Sequence, residues 1–223
     1  MTAIEPDFDS DPERAAAWDP SWVVAAPDWD EGAGRLIDEA LAPVLDVGCG
    51  DGAFARRLPS RSRWIGLDSS PEMLARTTAR PAVRADARRL PFQDGSLGAV
   101  VCKYMLYHLG DPSVVITEAH RVLRPGGLFL AVTRSRSQDP ELVPGGYPAS
   151  TFDAEDAPRL AAAVFGSESV EVEPWDGPFL VLPDREAVAT YTRHHRLPRD
   201  LADRVKTPLT LTKRGCQVWA RKR

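Results

Sequence analysis

The stretch VLDVGCGDGAF at residues 44–54 decides how the rest of this chain is interpreted. It begins with a short apolar run, which is typical of a buried strand. Glycines at 48, 50 and 52 then predict a tight turn, because a residue without a Cβ turns sharply and lets a ligand approach the backbone. By itself the stretch is ambiguous, since Gly48, Gly50 and Ala53 also satisfy the looser dinucleotide-binding pattern G-x-G-x-x-G/A.

Short apolar strands alternate with helices on both sides of this turn. The predicted strands are 44–48, 64–68, 82–85, 97–104 and 127–133. The predicted helices are 31–42, a segment after the glycine turn that ends near Leu58, 71–79 and 112–123. Strands of this length separated by helices form βαβ units, so the sequence predicts a parallel sheet with right-handed crossovers.

The two ends of the chain are less regular than its middle. Residues 1–30 predict an irregular arm with one short helix around Pro12 to Trp18. The helix at 31–42 should bury one face, which consists of Leu36, Ala40 and Leu41. The elements predicted after residue 134 are a loop at 135–151, a helix at 153–165, a strand at 169–175, a helix at 183–195 and a closing strand at 215–221.

Composition and charge exclude several classes of protein. The chain has 223 residues, of which 43% are hydrophobic and 27% charged, which is typical of a globular protein and not of a disordered one. No run reaches the roughly 18 apolar residues of a membrane span, and the acidic start MTAIEPDFDSDPE lacks the character of a signal peptide. Cys49, Cys102 and Cys216 form no CxxC pair, which favours a reducing cytoplasm and no structural zinc.

Acidic residues follow the second and third predicted strands. Asp68 ends the second strand twenty residues after Gly48, at the spacing where a carboxylate accepts hydrogen bonds from ribose hydroxyls. Asp86 follows the third strand, where it could meet the exocyclic amine of an adenine. The turn Arg124–Gly127 (RPGG) comes immediately before the fifth strand.

With these motifs in order, the chain resembles the class I S-adenosylmethionine-dependent methyltransferases. The stretches that carry the resemblance are VLDVGCGDG (44–52), IGLDSSPEML (65–74), ADARRLPF (85–92), MLYHLGDP (105–112) and EAHRVLRPGGLFLAVT (118–133). Each motif is weak alone, but five in the family's order and spacing are specific. The NAD-dependent dehydrogenases are the remaining confusion, and the context of Asp86 and the RPGG turn argue against them.

The resemblance implies an α/β, Rossmann-like fold with a seven-stranded, mostly parallel sheet, helices on both faces and an antiparallel last strand. No break in composition indicates a second domain, so we expect a single methyltransferase domain over 1–223. Its expected parts are an N-terminal arm or lid with the first helix (1–42), a cofactor-binding half (43–134), cap and substrate segments (135–212) and a closing strand (213–223).

The resemblance also implies the cofactor S-adenosyl-L-methionine, with S-adenosyl-L-homocysteine as product, and no metal. Asp46 and the glycine turn would line its methionine part, Asp68 would hold the ribose, and Met73 or a neighbour would pack on the adenine. Trp18 lies in an arm that closes over the cofactor in relatives. The residues expected to contact the cofactor are Asp46, Gly48, Cys49, Gly50, Asp68, Ser69, Met73, Asp86, Ala87, Lys103, Tyr104 and Trp18.

The candidate catalytic residues are His108 and Tyr107, just past the fourth strand. Imidazole titrates near neutrality and so suits a general base, although a histidine that only shapes the cofactor site fits the same position. The faces of Tyr104 and Tyr107 would attract the cofactor's sulfonium cation. One departure from the family matters, because the fourth strand begins Leu-Gly-Ala at 97–99 where relatives often carry an aspartate.

The sequence therefore predicts an enzyme (EC 2.1.1.-) that methylates an oxygen or nitrogen of a small-molecule acceptor. Two alternatives stay open: an RNA or protein methyltransferase that uses the basic C-terminal region, and a cofactor-binding relative without transfer activity. The net charge of −4 makes a nucleic-acid partner less expected. A cytoplasmic monomer or homodimer without membrane contact is the expected state.

Overall fold

A computed structural model describes residues 19–24 and 31–223, and it contains one seven-stranded sheet. The strands are β1 (Val44–Val47), β2 (Ile65–Asp68), β3 (Ala82–Arg84), β4 (Leu97–Lys103), β5 (Leu123–Arg134), β6 (Val170–Leu182) and β7 (Leu209–Arg221). Their order is β3-β2-β1-β4-β5-β7-β6. The strands from β1 to β5 pair in parallel, and β7 runs antiparallel between β5 and β6. The predicted Rossmann-like sheet with an antiparallel last strand is confirmed.

This topology brings the ends of several strands to one edge of the sheet. Because β1, β2, β4 and β5 are parallel, their last residues all lie at the same, carboxyl edge. Asp68, Lys103 and Arg134 are three of these terminal residues, and Asp46 precedes the last residue of β1. The fold therefore places charged side chains along the edge where open α/β sheets bind their ligands.

Six helices accompany the sheet in the described part of the chain. They are α1 (Glu31–Asp38), α2 (Pro71–Arg76), α3 (Pro112–Val122), α4 (Ala157–Phe165), α5 (Arg185–His194) and α6 (Leu201–Arg204). Side-chain oxygens cap three of them at the N-terminus, namely Ser70 before α2, Asp111 before α3 and Asp184 before α5. None of the helices described over 19–24 and 31–223 is long and apolar enough to cross a membrane.

The prediction of a helix after the glycine turn is wrong. This part of the chain instead forms two short 3₁₀ turns, Phe54–Arg57 and Ser60–Ser62. Leu58 between them is extended, because the residue before a proline avoids the helical region. The next predicted helix, 71–79, ends early at Arg76, where Thr77 turns extended and its hydroxyl accepts a hydrogen bond from the Ala79 N–H.

Two further helix boundaries differ from prediction. The helix predicted at 153–165 begins only at Ala157, because the Asp153 carboxylate accepts hydrogen bonds from the N–H and hydroxyl of Ser150 and closes a turn instead. The helix predicted at 31–42 ends at Asp38. Ala40 follows at a φ of 52° and is exposed, so it is not part of the buried face that includes Leu36 and Leu41.

Three strands are longer than predicted. The strand predicted at 169–175 continues to Leu182, with a register shift between Pro178 and Leu180, and β7 begins six residues before the predicted 215. β5 begins at Leu123 rather than 127, and the pairing with β4 jumps from Leu97–Leu123 to Ala99–Leu128. The predicted RPGG turn therefore lies inside β5, between the two parts of this strand that pair with β4.

The C-terminal segments build an apolar cluster separate from the two that pack on the main sheet. Its buried members are Trp22, Leu142, Leu180, Leu182, Ala187, Val188, Tyr191, Ala202 and Leu211. The short segment 19–24 joins it from the N-terminal side, since Val23 forms an antiparallel bridge with Leu180 and Trp22 meets Tyr191 edge to face at 6.2 Å. Loop 135–151 and α5 are thus attached to β6 and β7 by hydrophobic contact.

A buried ionic group, which we call the Asp139 cluster, joins the same segments through hydrogen bonds. It consists of Asp139, Tyr147, Tyr191 and Lys213. The Asp139 carboxylate accepts hydrogen bonds from the Tyr147 hydroxyl at 2.9 Å, the Tyr191 hydroxyl at 2.6 Å and the Lys213 ammonium at 2.8 Å. Asp139 is fully buried and Lys213 is nearly so, so each charge depends on the other for compensation.

We predict that Lys213→Met lowers the free energy of unfolding by about 3–5 kcal/mol, because it leaves the Asp139 carboxylate buried without its cation. Arg214→Met is the matched control: Arg214 is the next residue of β7 and pairs with Asp176 at the surface, where an ion pair contributes about 1 kcal/mol or less. Urea unfolding measures both. Equal losses for the two variants would contradict the prediction, whereas adding Asp139→Asn to Lys213→Met should recover part of the loss.

Candidate functional site

The glycine turn after β1 has the backbone conformation that the sequence predicts. Gly48 and Gly50 have φ values of +69° and +54°, a region that glycine adopts without strain. A Cβ on Gly48 would lie 2.8 Å from the Cβ of Met105, so the turn packs tightly against the segment that follows β4. At Gly50 only the terminal methyl of Met73 comes near the position of a Cβ, at 3.2 Å, so Gly50 presents accessible backbone.

Asp68 connects this turn to the next strand and helix. One carboxylate oxygen accepts the N–H of Gly50 and the other accepts the N–H of Ser70, both at 2.9 Å. An ionised carboxylate offers about four acceptor positions, so two remain for hydroxyl donors of a ligand. Ser69 lies beside it with an exposed side chain, and its carbonyl accepts a hydrogen bond from the Arg84 side chain.

Asp46 is a buried acid near the end of β1. Its carboxylate accepts a hydrogen bond from the Trp64 indole N–H at 3.2 Å. Burial raises the pKa of Asp46 to about 7, although the Trp64 hydrogen bond and the Lys103 ammonium oppose that rise. Lys103 ends β4 with its ammonium 4.7 Å from the centre of the Phe54 ring. The structure therefore brings together a buried acid, whose pKa is raised to about 7, and a lysine ammonium.

Cys49 faces away from the open side of the glycine turn. Its sulfur lies against Gly66 of β2, and its side chain belongs to a core cluster. Burial raises the pKa of the Cys49 thiol to about 12, with further increases from Asp46 and Asp68. The thiol is therefore neutral at physiological pH, and the backbone of Cys49 is the part available to a ligand. Cys102 and Cys216 are free and buried as well.

The residues predicted to contact an adenine differ in their surroundings. The terminal methyl of Met73 lies close to Gly50 of the glycine turn. Asp86 is exposed and accepts a hydrogen bond from the Arg88 side chain at 2.7 Å and another from the Arg88 N–H at 2.9 Å, which lower the pKa of Asp86. Ala87 is buried next to it. A bound adenine would therefore have to share the Asp86 carboxylate with the Arg88 side chain.

The aromatic residues Tyr104 and Tyr107 follow β4, and Met105 between them packs against Gly48 of the glycine turn. Tyr104 has a φ of +54°, which is uncommon for a bulky residue, and burial raises the pKa of its phenol well above the ordinary value. Leu106–His108 form one 3₁₀ turn, in which the Tyr107 and His108 rings lie 4.6 Å apart. Trp18 lies outside the described residues, and Trp22 packs on Tyr191 within the C-terminal apolar cluster.

The structure adds residues that the sequence analysis missed. The guanidinium of Arg134, at the end of β5, lies 4.9 Å from the centre of the Tyr107 ring and 5.6 Å from that of Tyr147. The Thr151 hydroxyl donates to the Tyr107 carbonyl at 3.3 Å. Among these residues, only Arg134 could have been found from the sequence, because it is a charged residue at the end of an apolar strand. Tyr147 and Thr151 belong to a loop whose path no local pattern predicts.

The departure at the start of β4 has a packing explanation. A Cβ on Gly98 would lie 2.7 Å from the carbonyl oxygen of Ala42, and the Gly98 N–H donates to the Pro43 carbonyl at 3.0 Å. The connection into β1 crosses the strand here, so no larger residue fits. Gly98 lies at the amino end of β4, opposite the edge that carries the candidate site, and the missing aspartate leaves that edge unchanged.

The chemistry of this edge fits S-adenosylmethionine. The acidic side chains Asp46, Asp51 and Asp68 lie close enough that the charges of Asp51 and Asp68 raise the pKa of Asp46. Such a group attracts the ammonium and sulfonium cations of this cofactor and offers acceptors for its ribose hydroxyls. The accessible backbone at Gly50 would allow close approach, and the Lys103 ammonium would be the cation for the cofactor's carboxylate.

Comparisons with known proteins agree with this chemistry. Residues 45–131 match a family model described as a methyltransferase domain. A "Probable S-adenosylmethionine-dependent methyltransferase" of Mycolicibacterium smegmatis is 39% identical over 99 residues, which are 42% of this chain and 38% of that protein. A ubiquinone biosynthesis O-methyltransferase of Xanthomonas oryzae pv. oryzae is 32% identical over 134 residues, which are 56% of this chain and 54% of that protein. The chain thus spans about half or less of the length of these two relatives.

The fold also matches a solved structure. The YcgJ protein from Bacillus subtilis superposes with a TM-score of 0.59 over 86% of this chain and 98% of that chain, at 20% identity. At this identity the likeness concerns the fold. The matched stretch 45–131 is therefore similar to a methyltransferase domain.

Proposed function

We propose that this protein transfers a methyl group from S-adenosylmethionine to a small-molecule acceptor. The observation that carries the proposal is the junction of the glycine turn with Asp68, which offers accessible backbone and free acceptor positions at the carboxyl edge of the sheet. In the reaction the acceptor's oxygen or nitrogen attacks the methyl carbon, the carbon–sulfur bond breaks, and the sulfur keeps the electron pair. The acceptor's proton leaves to a base or to water.

Most of the protein's contribution is to position the two reactants. Asp68 holds the ribose hydroxyls, Asp46 and Lys103 hold the amino-acid end, and Met73 with Ala87 and the shared Asp86 carboxylate holds the adenine. Positioning of this kind supplies roughly 7–11 kcal/mol of the barrier reduction. The remaining predicted contacts, Ser69, Tyr104 and Trp18, belong to the same proposal, as does His108 in its role as base.

The segments after β5 favour a small acceptor over a macromolecule. The Asp139 cluster ties loop 135–151 to α5 and β7, and the Thr151 hydroxyl ties the loop to the Tyr107 carbonyl just past β4. These contacts support a cap that would narrow the approach to the site. The Xanthomonas relative is named as an O-methyltransferase of ubiquinone biosynthesis, which is chemistry on a small molecule. We infer that 135–212 form a cap within one domain over 1–223.

The RNA alternative finds less support in the structure. Basic residues of the C-terminal strand and terminus are engaged by acidic ones, in the pairs Lys213–Asp139, Arg214–Asp176, Arg221–Glu39 and Arg223–Glu168. A nucleic-acid site needs cations that neutralise phosphates. The cytoplasmic location and the monomeric or homodimeric state stay predictions.

Calorimetry with S-adenosylhomocysteine tests the cofactor site. We expect binding to the wild type, and a loss of about 10- to 100-fold in affinity for Asp68→Asn, because hydrogen bonds to a charged acceptor contribute about 1.5–3 kcal/mol. Asp94→Asn is the control, since Asp94 is an exposed acid that pairs only at the surface with Arg121. Absence of binding to the wild type would refute the proposed function. If the wild type does bind, a metabolite panel assayed for released S-adenosylhomocysteine would identify the acceptor.

The affinity for S-adenosylhomocysteine should rise as the pH increases through about 7. The cofactor's ammonium prefers the ionised Asp46 carboxylate, and the pKa of Asp46 is raised to about 7 in the folded protein. Asp46→Asn should remove this pH dependence in calorimetry between pH 6 and 8. The sign for stability is opposite: Asp46 holds a proton in the folded state well above its usual pKa, so the free energy of unfolding should fall as the pH rises from about 4 to 7. An unchanged pH profile in the variant would contradict this assignment.

His108→Ala should reduce turnover more than cofactor affinity if His108 acts as the base. A general base contributes about 10²–10⁴-fold when the acceptor carries a proton of high pKa. His120→Ala is the control, since His120 packs on Phe165 away from the glycine turn. Turnover and S-adenosylhomocysteine affinity are measured on both variants, and equal losses in the two quantities for His108→Ala would assign this residue to binding.

A further inference from the structure

A cavity of about 520 Å³ lies at the amino ends of β2 and β3, a volume within the range of small-molecule sites. Its walls come from the segment 55–65, which leads into β2, and from residues 79–81, which lead into β3. Ile65, the first residue of β2, lines it, whereas Asp68 ends the same strand at the opposite edge of the sheet. None of the described residues proposed to contact the cofactor lines this cavity.

The lining of the cavity combines apolar side chains with charges of a single sign. Its apolar members are Ala55, Leu58, Pro59, Ile65, Ala79 and Pro81. Trp64 adds a buried aromatic side chain, and the exposed residues Ser60, Arg63 and Arg80 add a hydroxyl and two guanidinium groups. Within the described chain no acidic residue belongs to the lining. Such a lining suits a ligand that has an apolar body and a negative charge.

The guanidinium of Arg80 is held in place by the backbone beside it. Its Nη1 donates to the Thr77 carbonyl at 2.8 Å and to the Ala79 carbonyl at 2.7 Å. Neither acceptor is charged, so these hydrogen bonds leave the positive charge of Arg80 uncompensated. Because the group is fixed before a ligand arrives, an anion that binds to it loses little free energy in ordering it.

The second guanidinium belongs to a residue with an unusual backbone conformation. Arg63 has a φ of 49°, in the left-handed region that a residue with a Cβ seldom adopts. It ends the 3₁₀ turn Ser60–Ser62, and its N–H donates to the Ser60 carbonyl at 3.0 Å. Residues in such conformations are concentrated at functional sites.

The charge around the cavity strengthens its attraction for anions. Seven arginines and only two acids, Asp68 and Glu72, lie between residues 54 and 84. The Asp68 carboxylate is at the far end of β2 and holds two backbone N–H groups there. An excess of one sign of charge around a cleft raises the local concentration of ligands of the opposite sign.

Trp64 connects the cavity with the interior of the sheet. Its indole N–H donates to the buried Asp46 carboxylate at 3.2 Å. The ring runs over Gly66 of β2, where a Cβ would lie 2.4 Å from the ring carbon Cη2. A ligand in the cavity therefore contacts a side chain whose N–H reports on Asp46.

We propose that this cavity binds a small organic acid, whose carboxylate lies between Arg63 and Arg80 and whose apolar part packs against Leu58, Ile65 and Trp64. A guanidinium matches a carboxylate with two parallel hydrogen bonds, which orients the ligand. The apolar part gains affinity through the surface that it removes from water. The site is separate from the one under the proposed function and does not depend on it.

The test is calorimetry on the full chain with two probes, octanoate and 3-phenylpropanoate. Octanamide and 3-phenylpropanamide remove the charge, and acetate removes the apolar part. Each acid should bind about 10-fold more tightly than its amide, which is the lower end of what hydrogen bonds to a charged group contribute, and more tightly than acetate. In ¹H–¹⁵N spectra the indole N–H signal of Trp64 should shift on binding, whereas that of Trp22, in the C-terminal apolar cluster, should not.

Arg63→Asn should reduce the affinity for both acids to the level of their amides. Asparagine tolerates a positive φ, so this substitution removes the guanidinium and retains the backbone conformation. Arg61→Asn is the matched control, because Arg61 is an exposed arginine two residues away that does not line the cavity. It removes the same charge and should leave the affinity for the acids unchanged.

Four results would overturn the proposal: neither acid binds, the amides bind as well as the acids, the two arginine variants lose affinity equally, or the Trp64 signal stays in place. The wild-type comparisons decide the matter even if Arg63→Asn does not fold. Saturation with S-adenosylhomocysteine should not displace the acids, since displacement would put them in the cofactor site and overturn the proposal as well. A wild type that binds the acids but not S-adenosylhomocysteine would refute the proposed function and leave this site standing.

Discussion

The hydrogen bonds of the Asp68 carboxylate organise the part of this structure where we propose that the cofactor binds. One oxygen holds the Gly50 N–H and the other holds the Ser70 N–H, so a single side chain sets the glycine turn against the start of the next helix. A turn with three glycines at positive φ has many conformations available in the unfolded chain. The carboxylate selects one of them and still keeps acceptor positions for a ligand.

Among the charged groups that act on Asp46 at this edge, acids outnumber bases. Asp46 is buried and shares its surroundings with Asp51 and Asp68, while Lys103 is the cation that acts on it. Burial raises the pKa of Asp46 and of the Cys49 thiol, and repulsion from the neighbouring carboxylates adds to both increases. A cationic ligand relieves this repulsion, which explains in physical terms why an acidic edge suits a sulfonium cofactor.

The segments after β5 are held by a different kind of interaction. The Asp139–Lys213 pair is buried, and the desolvation of both charges is offset by close contact and by two tyrosine hydroxyls. This cluster connects loop 135–151, α5 and β7, and so decides where Tyr147 lies. The surroundings of Tyr147 are therefore built by contacts between residues far apart in the sequence.

The sequence by itself determined where β1 to β5 lie along the chain, the glycine turn, and the positions of Asp68 at a strand end and of Asp86 just after one. These features are local, because an apolar run, a glycine turn and an acid near a strand end each involve only a few residues. It did not determine that the segment after Gly52 is 3₁₀, since Pro59 and the extended Leu58 outweighed an apparent helical pattern. It also gave no indication that Asp86 binds Arg88 or that Lys213 is buried. Arg134, Tyr107 and Tyr147 meet only in the tertiary structure, because their proximity depends on the register of β5 with β7 and on the burial of the Asp139 cluster. Local pattern decides an element, whereas long-range packing decides which side chains share a site.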